Sequence, residues 1–493
     1  MDASSPLHSG GKVFDRRESA VIAAAALSML LVQMDWFALN LTLPVIAKDF
    51  QEPTTDLQWL VSGYMLTLGA FMITGGRVAD VQGRKKTLVS GLAGFCGISV
   101  LCGLAPSAGW LVTGRIVQGV TAAFIFPVAV AVVTSHFRDA RQGRAVGTVL
   151  AFSAIGTALG PFIGGTLAEH VSWRAVFFVN VPICLVAALL MMKFVPETRD
   201  AEASGRLDLP GVATIVGGLT LLMLAVDQGD QWGWTSFATL MCLIAGIALL
   251  TGFVMLERRS REPLLDLGLL KNGMFVIITL AGSVSNVVYC LVAVFSALYL
   301  QQARGFSPFE AGIIFLALSV GAGTASYWSG RLAQHWRPEL LMGLSMLLSG
   351  MSLLVLTWSH PIGLYVVVFG VVGVGVGLGW ALTNVATQSY VPASRLAAAS
   401  GFVLTALVLL GALAVAVAST VLEVISGSAA AAAADEAAIN AVLRAAAVLT
   451  LLGGVALLGA VRWGATAEGS GKQPGRRHSA SPSASQGARL PED

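Results

Sequence analysis

An all-α polytopic membrane protein, built as two six-helix bundles with a pair of helices inserted between them, is predicted by three observations. The 493-residue chain is 56% hydrophobic and 12% charged, far from the roughly 25% charged residues of a soluble domain, and its mean hydropathy is +0.78. Apolar runs long enough to cross a hydrocarbon core of ~30 Å recur fourteen times between short polar breaks. The chain also repeats itself at one fixed offset: Gly76-Arg77-Val78-Ala79 returns as Gly330-Arg331-Leu332-Ala333, and Arg141…Gly147 returns as Arg395…Gly401, from 76 to 330 and from 141 to 395. That offset carries span 2 onto span 10 and span 4 onto span 12, so spans 1–6 and 9–14 read as copies and spans 7 and 8 as an insertion.

In chain order the predicted spans are 20–43, 57–79, 87–105, 109–134, 145–168, 174–195, 209–227, 235–256, 273–300, 309–333, 338–358, 361–385, 397–425 and 439–463. An even number puts both termini on one side. Of the 30 Lys and Arg, all but Lys48, Arg115, Arg174, Arg304 and Arg444 fall in the N-terminal segment, the turns from even to odd spans, or the tail, so that side is expected to be cytoplasmic and the membrane the inner (plasma) membrane. The expected divisions are a cytoplasmic segment 1–19, a bundle 20–195, the inserted pair 209–256, a second bundle 273–463 and a tail 464–493. The tail, rich in Gly, Ser, Pro and Arg without apolar period, is expected to be disordered. Lys12, Arg16 and Arg17 lead straight into a full-length span with no cleavage pattern, so span 1 is expected to stay in the mature protein.

Composition narrows the function. A net charge of +3 carries no nucleic-acid signal. The five cysteines are odd in number and lie in apolar runs, and the six histidines are scattered without metal spacing, so no disulfide framework, metal or cofactor is expected.

Span 1, AVIAAAALSMLLVQMDWFALNLTLP from Ala20 to Pro44, carries a carboxylate in its outer part. Inside hydrocarbon such a group costs roughly 2.5 to 3.5 kcal/mol on insertion scales, so Asp35 should face a protein interior or a wet cavity and line a substrate or proton pathway. Span 2 ends in Gly76-Arg77-Val78-Ala79-Asp80-Val81-Gln82-Gly83-Arg84-Lys85-Lys86. The positive residues fit a cytoplasmic anchor; Asp80 is placed to accept the first amides of span 3 or to meet a cation across a domain seam. Span 4 sets Arg115 and Gln118 three apart on one face, and counting ~1.5 Å per residue from the outer helix ends puts Asp35 about 12 Å and Arg115 about 9 Å deep. An Arg at that depth would hold the carboxylate ionised, and proton exchange would switch the pairing; a static ion pair is the plainer alternative. Span 5 holds Gly156-Thr157-Ala158-Leu159-Gly160-Pro161-Phe162-Ile163-Gly164-Gly165, a face of small residues for close packing with a proline to bend the helix. Trp173 and Arg174 follow as a membrane-interface anchor.

Together these strings resemble the signature motifs of the major facilitator superfamily, in particular its fourteen-span drug:proton antiporters, over essentially residues 15–463. The turn Gly76–Lys86, Arg115…Gln118-Gly119 in span 4, Gly156…Gly160-Pro161…Gly164-Gly165 in span 5 and Asp35…Asn40…Pro44 in span 1 carry the match. The resemblance implies two bundles rocking about a central cavity, with efflux driven by the proton gradient. It implies that Asp35 and Arg115, with Gln118 and Asn40, take part in proton or substrate coupling. It also implies that Asp80, with Gly76, Gly83 and Arg84, stabilises one conformation and that span 5 holds the antiporter motif. Trp36 and Phe37 depart from the small residues usual after this Asp, and Gln334 stands where the first copy has Asp80, so the cytoplasmic latch should be asymmetric.

Further candidates are Glu423 near the outer end of span 13 as a second coupling carboxylate, and Trp36, Asn286 and Tyr289 as cavity residues. Tyr289 is the counterpart of Asp35 at the same offset. Asp227, Asp230, Trp232 and Trp234 read as an outer interface belt, and Glu257 among Arg258, Arg259 and Arg261 as a solvated face. The expected function is proton-coupled export of small hydrophobic or amphiphilic drugs or antibiotics, by a monomer in the lipid bilayer. The alternatives are dedicated export of one endogenous metabolite or lipid, an integral-membrane enzyme, or a non-transporting receptor. The enzyme would need catalytic groups clustered at the membrane face, and the receptor a folded soluble domain.

Overall fold

The computed structural model describes residues 14–53, 56–137, 139–199, 208–260, 267–391, 396–426 and 436–470. Among them are fourteen helices long and apolar enough to cross a membrane: Arg16–Phe50, Trp59–Gln82, Arg84–Gly103, Ala108–His136, Arg144–His170, Ala175–Phe194, Leu209–Val226, Phe237–Arg259, Gly273–Ala303, Pro308–His335, Pro338–Leu356, Ile362–Thr387, Ala399–Ser426 and Glu436–Arg462, spans 1 to 14 in order. With fourteen spans, both described termini and the Lys- and Arg-rich turns lie at one end of the bundle, the end that the charge pattern predicts to be the inner one.

Span 1 starts where its cap dictates. Asp15 accepts the amide of Glu18 at 2.7 Å and Glu18 returns on the amide of Asp15 at 2.9 Å, a capping box that satisfies two orphan donors. The Glu18 carboxylate also takes Arg141, tying the inner ends of spans 1 and 5. Three spans depart from plain helix, each with a local cause or consequence. Pro127 cannot donate to the carbonyl of Ala123, and span 4 breaks between Ala123 and Phe126. Pro182 does the same to Phe178, and span 6 breaks at Val179, one residue before Asn180. Span 9 widens into a π-helix over Tyr299–Ala303, which turns the Gln301 amide onto the carbonyl of Leu41 at 3.0 Å. The helix of span 14 runs on to Ser470, past the start of the segment expected to be disordered; residues 471–493 and the loop 427–435 lie outside the described residues.

Spans 1–6 and 9–14 pack as two bundles that meet along two seams, span 5 on span 10 and span 2 on span 13. Span 7 lies along the second seam, against spans 2 and 13, where Thr420 donates to the carbonyl of Val226 at 3.2 Å. Span 8 packs on span 7 and shows Phe237, Leu240, Met241, Ile244 and Ile247 outward, a lipid-facing surface. The first seam is closely packed at the start of span 10: Gly165 sits against the Pro308 carbonyl, and Phe162 and Phe309 lie 6.0 Å apart. The four glycines of the repeated strings, Gly76 of span 2, Gly147 of span 5, Gly330 of span 10 and Gly401 of span 13, each have open space where a Cβ would point.

Two expectations about single residues need correction. Trp173 does not present its ring to lipid: it is buried, and its indole N–H donates to Asp49 at 2.9 Å, while Arg174 reaches the same carboxylate from the exposed side. Glu257 is not solvated: it is 3% exposed on span 8, because the helix turns that face toward its neighbours while Arg258 and Arg259 point away. Trp232 and Trp234 are exposed as an interface belt requires; the side chains of Asp227 and Asp230 lie outside the described residues.

Candidate proton and substrate site

Span 1 has two functional faces, set by helix geometry. At about 100° per residue, Trp36, Phe37 and Asn40 point to one side and Asp35 to another. Asp35 enters the N-terminal bundle, where it is 2% exposed and Arg115 is 0% exposed. Arg115 Nη1 donates to Asp35 Oδ2 at 2.6 Å and to Gln118 Oε1 at 2.8 Å, and Arg115 Nε donates to the carbonyl of Leu60 at 3.0 Å. The guanidinium also lies 4.1 Å from the centre of the Tyr64 ring, a cation–π contact. The other Asp35 oxygen accepts Asn180 Nδ2 at 2.7 Å and Gln118 Nε2 at 3.3 Å, and Gln118 donates to Ser99 at 2.8 Å. One carboxylate therefore ties spans 1, 4 and 6 together, with span 3 joined through Ser99 and span 2 through Leu60 and Tyr64. Removing either charge would leave the other buried and uncompensated, which is worth several kcal/mol.

Asn180, Ser99 and Tyr64 were not singled out by sequence reasoning. For Asn180 a signal existed: a polar residue in an apolar run, two positions before a proline that breaks the helix. Ser99 and Tyr64 carry no such mark.

The other face of span 1 meets span 9 of the second bundle. Trp36 stacks on Phe37 with ring centres 5.3 Å apart, and Phe37 lies 5.2 Å from Tyr289. Trp36, Phe37 and Asn40, with Val61 and Met65 of span 2 and Cys290 of span 9, line a narrow crevice between the halves. Asn40 is 2% exposed there, and its Oδ1 has no hydrogen-bond partner. Asn286 is turned from the crevice to span 13, donating to the Leu407 carbonyl at 2.8 Å. Glu423, three residues before the end of span 13, is half-buried in the second bundle, whereas the carboxylate of Asp35 is held by side chains of the first.

The span 5 glycines pack on span 1. A Cβ on Gly156 would stand 2.5 Å from the Leu30 carbonyl oxygen and one on Gly160 2.8 Å from that of Met34, and Gly164 is pressed on the Ala38 carbonyl. These contacts advance four residues at a time on both helices, as two helices in backbone contact require. The helix continues through Pro161, and Gly165 turns to Pro308 across the seam.

At the inner turn, Gly83 takes φ +119° and makes the sharp reversal between spans 2 and 3. Gly75, not Gly76, makes the close approach: it rests on the Ala123 carbonyl that Pro127 leaves free. Asp80 takes neither expected partner. It accepts Arg84 at 2.8 and 3.2 Å, one turn along, while Glu197, after span 6, accepts the amides of Lys85 and Lys86 at 3.0 and 3.1 Å. In the second copy Arg331, the counterpart of Arg77, lies over the Trp328 ring at 4.8 Å. Glu197→Ala is therefore expected to lower stability by about 1 kcal/mol, the worth of a helix cap. Asp80→Asn, which loses a partly exposed ion pair, should change it by less. Thermal unfolding in detergent checks both, and an Asp80→Asn loss as large as that of Glu197→Ala would contradict the assignment.

The Major Facilitator Superfamily profile matches residues 25–288 and 275–489. The chain belongs to that superfamily. It is 31% identical over 395 residues to the multidrug resistance protein Stp of Mycobacterium tuberculosis, covering 78% of this chain and 72% of Stp. To the tetracenomycin C resistance and export protein of Streptomyces glaucescens it is 30% identical over 337 residues, covering 67% of this chain and 62% of that protein. Among solved structures, an inward-facing, unoccupied bacterial homologue of the human lysosomal transporter Spinster superposes with a TM-score of 0.65 at 15% identity, covering 90% of this chain and 98% of the other. That likeness concerns the fold. As a superfamily member the chain is a multi-pass membrane transporter, related to multidrug and antibiotic efflux pumps.

Proposed function

We propose that this chain exports small lipophilic or amphiphilic drugs and antibiotics in exchange for protons, by alternating access, as a monomer in the inner membrane with both termini cytoplasmic and no cofactor. The observation that carries the reading is the two-faced span 1: the Asp35–Arg115 pair is on one side and the Trp36–Phe37–Asn40 face of the crevice on the other. A buried carboxylate that gains a proton releases Arg115, Gln118 and Asn180 from their shared partner. The packing of span 1 then changes, and the same helix forms the wall that substrate would meet. Aromatic rings and one amide fit flat, apolar molecules with a hydrogen-bond donor. A second reading, dedicated export of one endogenous metabolite, is favoured by the relative named for both resistance to and export of tetracenomycin C.

Everted membrane vesicles test the coupling. Accumulation of a fluorescent lipophilic cation is expected when the lumen is acidified and is expected to vanish when the pH gradient is collapsed. Accumulation that survives the collapse would remove proton coupling from the reading. A drug panel separates the two substrate readings: one transported aromatic antibiotic among many refused compounds favours the dedicated exporter.

A further inference from the structure

The outer end of the 5/10 seam is fastened by a carboxylate. Glu169, near the end of span 5, accepts the amide of Phe309 at 2.8 Å, beside Ser307, the cap of span 10. Span 10 needs this acceptor. Its first residue, Pro308, has no N–H; the Glu310 amide is taken by Ser307 at 3.2 Å; the Phe309 amide remains, and its partner comes from the other half of the protein. A 28-residue helix presents a partial positive charge at that point, which favours an ionised carboxylate over a neutral acid. Around the bond the fit is close: His170 lies 5.2 Å from the Phe309 ring, and Gly165 meets the Pro308 carbonyl one turn below Glu169.

We propose that Glu169 is an acid-released catch on the outer gate: ionised, it caps span 10 across the seam and holds the halves shut; protonated, it lets them part. The charged and titratable groups at that end of the elements packed here are His170 on the same turn, Glu310 on span 10, Lys48 and Asp49 at the end of span 1, Arg174 at the start of span 6 and Arg304 after span 9. Glu310 is occupied with the Ser307 amide at 2.9 Å, and Asp49 with Trp173 and Arg174. The device rests on the proposed orientation, in which this end faces the acidic side of the membrane. It would keep the outer gate shut at neutral pH and release it only in strongly acidic surroundings.

The test measures distance rather than transport, so it fails or succeeds apart from the efflux reading. Spin labels are placed on full-length protein in lipid nanodiscs at Val171→Cys and Ile362→Cys, exposed positions at the outer end of either half, with Cys96 and Cys242 changed to Ser and the other cysteines buried. The cap holds the Glu169 carboxyl below the usual carboxylate range, so the wild-type pair is expected to keep the short separation from pH 7.5 to 5 and to shift to a longer one only as the pH falls on to 3. Glu169→Gln should show the longer separation already at pH 7.5, its population raised roughly two- to fivefold by the lost charge–dipole attraction, and should respond little to acid. His170→Gln should keep the wild-type profile. The proposal is overturned if Glu169→Gln keeps the wild-type distances and pH response, if the response moves with His170→Gln instead, or if wild type does not change with pH.

Discussion

Asp35→Asn is expected to abolish uphill efflux while the protein still folds and inserts. The structure explains why the fold should survive. The replacement keeps one oxygen for Arg115 but turns the other position into a donor, facing the donor nitrogens of Asn180 and Gln118. Asn180 Oδ1 has no partner, so rotation of that amide by half a turn supplies an acceptor. What cannot be restored is the charge: Arg115 is fully buried and would face only dipoles, a loss of order 3–5 kcal/mol in fixed pairs. A group that cannot change protonation cannot couple a proton to span 1, so concentration of substrate against its gradient should disappear, with downhill exchange surviving. Transport in vesicles with an imposed substrate gradient in either direction separates these two outcomes. An Asn variant that still concentrates substrate under a proton-motive force would move the coupling role elsewhere, with Glu423 the next carboxylate to examine.

Gly160→Leu is expected to have an effect of similar size by another route. The first added carbon would stand 2.8 Å from a main-chain oxygen and 2.9 Å from the Phe37 Cβ, and neither is the loose end of a side chain. Spans 1 and 5 must therefore separate, at a typical overpacking penalty of about 1–3 kcal/mol, and Phe37 is carried out of register with Tyr289. Efflux should be lost while membrane insertion, followed by immunoblotting, is retained. Gly97→Leu is the control, because span 3 has open space there and efflux should be unchanged. Normal efflux by the Gly160 variant would show that close contact between spans 1 and 5 is dispensable.

The spans were legible in the sequence because crossing hydrocarbon imposes length and apolarity on each helix separately. The meeting of Asp35 and Arg115 was legible because depth can be counted from helix ends, and charges at one depth in a bundle seek each other. The glycines of span 5 were legible as a packing face, though not the helix they pack on. Other contacts left no local trace. The amides at the start of span 3 go to Glu197 rather than Asp80, because the chain leaving span 6 brings Glu197 onto them. Asn180 reaches Asp35 because span 6 is broken at Val179, a break that Pro182 announces without saying what it will aim. Trp173 and Glu257 have the composition of surface residues and are buried by tertiary packing, to which residue type is only a weak guide.

Span 7 has a consequence for how substrates arrive. Laid along spans 2 and 13, it covers one of the two flanks through which a molecule dissolved in lipid could slip sideways into the centre. Among the described residues no further helix is laid along spans 5 and 10 in the same way. A molecule dissolved in the bilayer therefore meets the contact between spans 5 and 10 directly, but reaches the contact between spans 2 and 13 only past span 7.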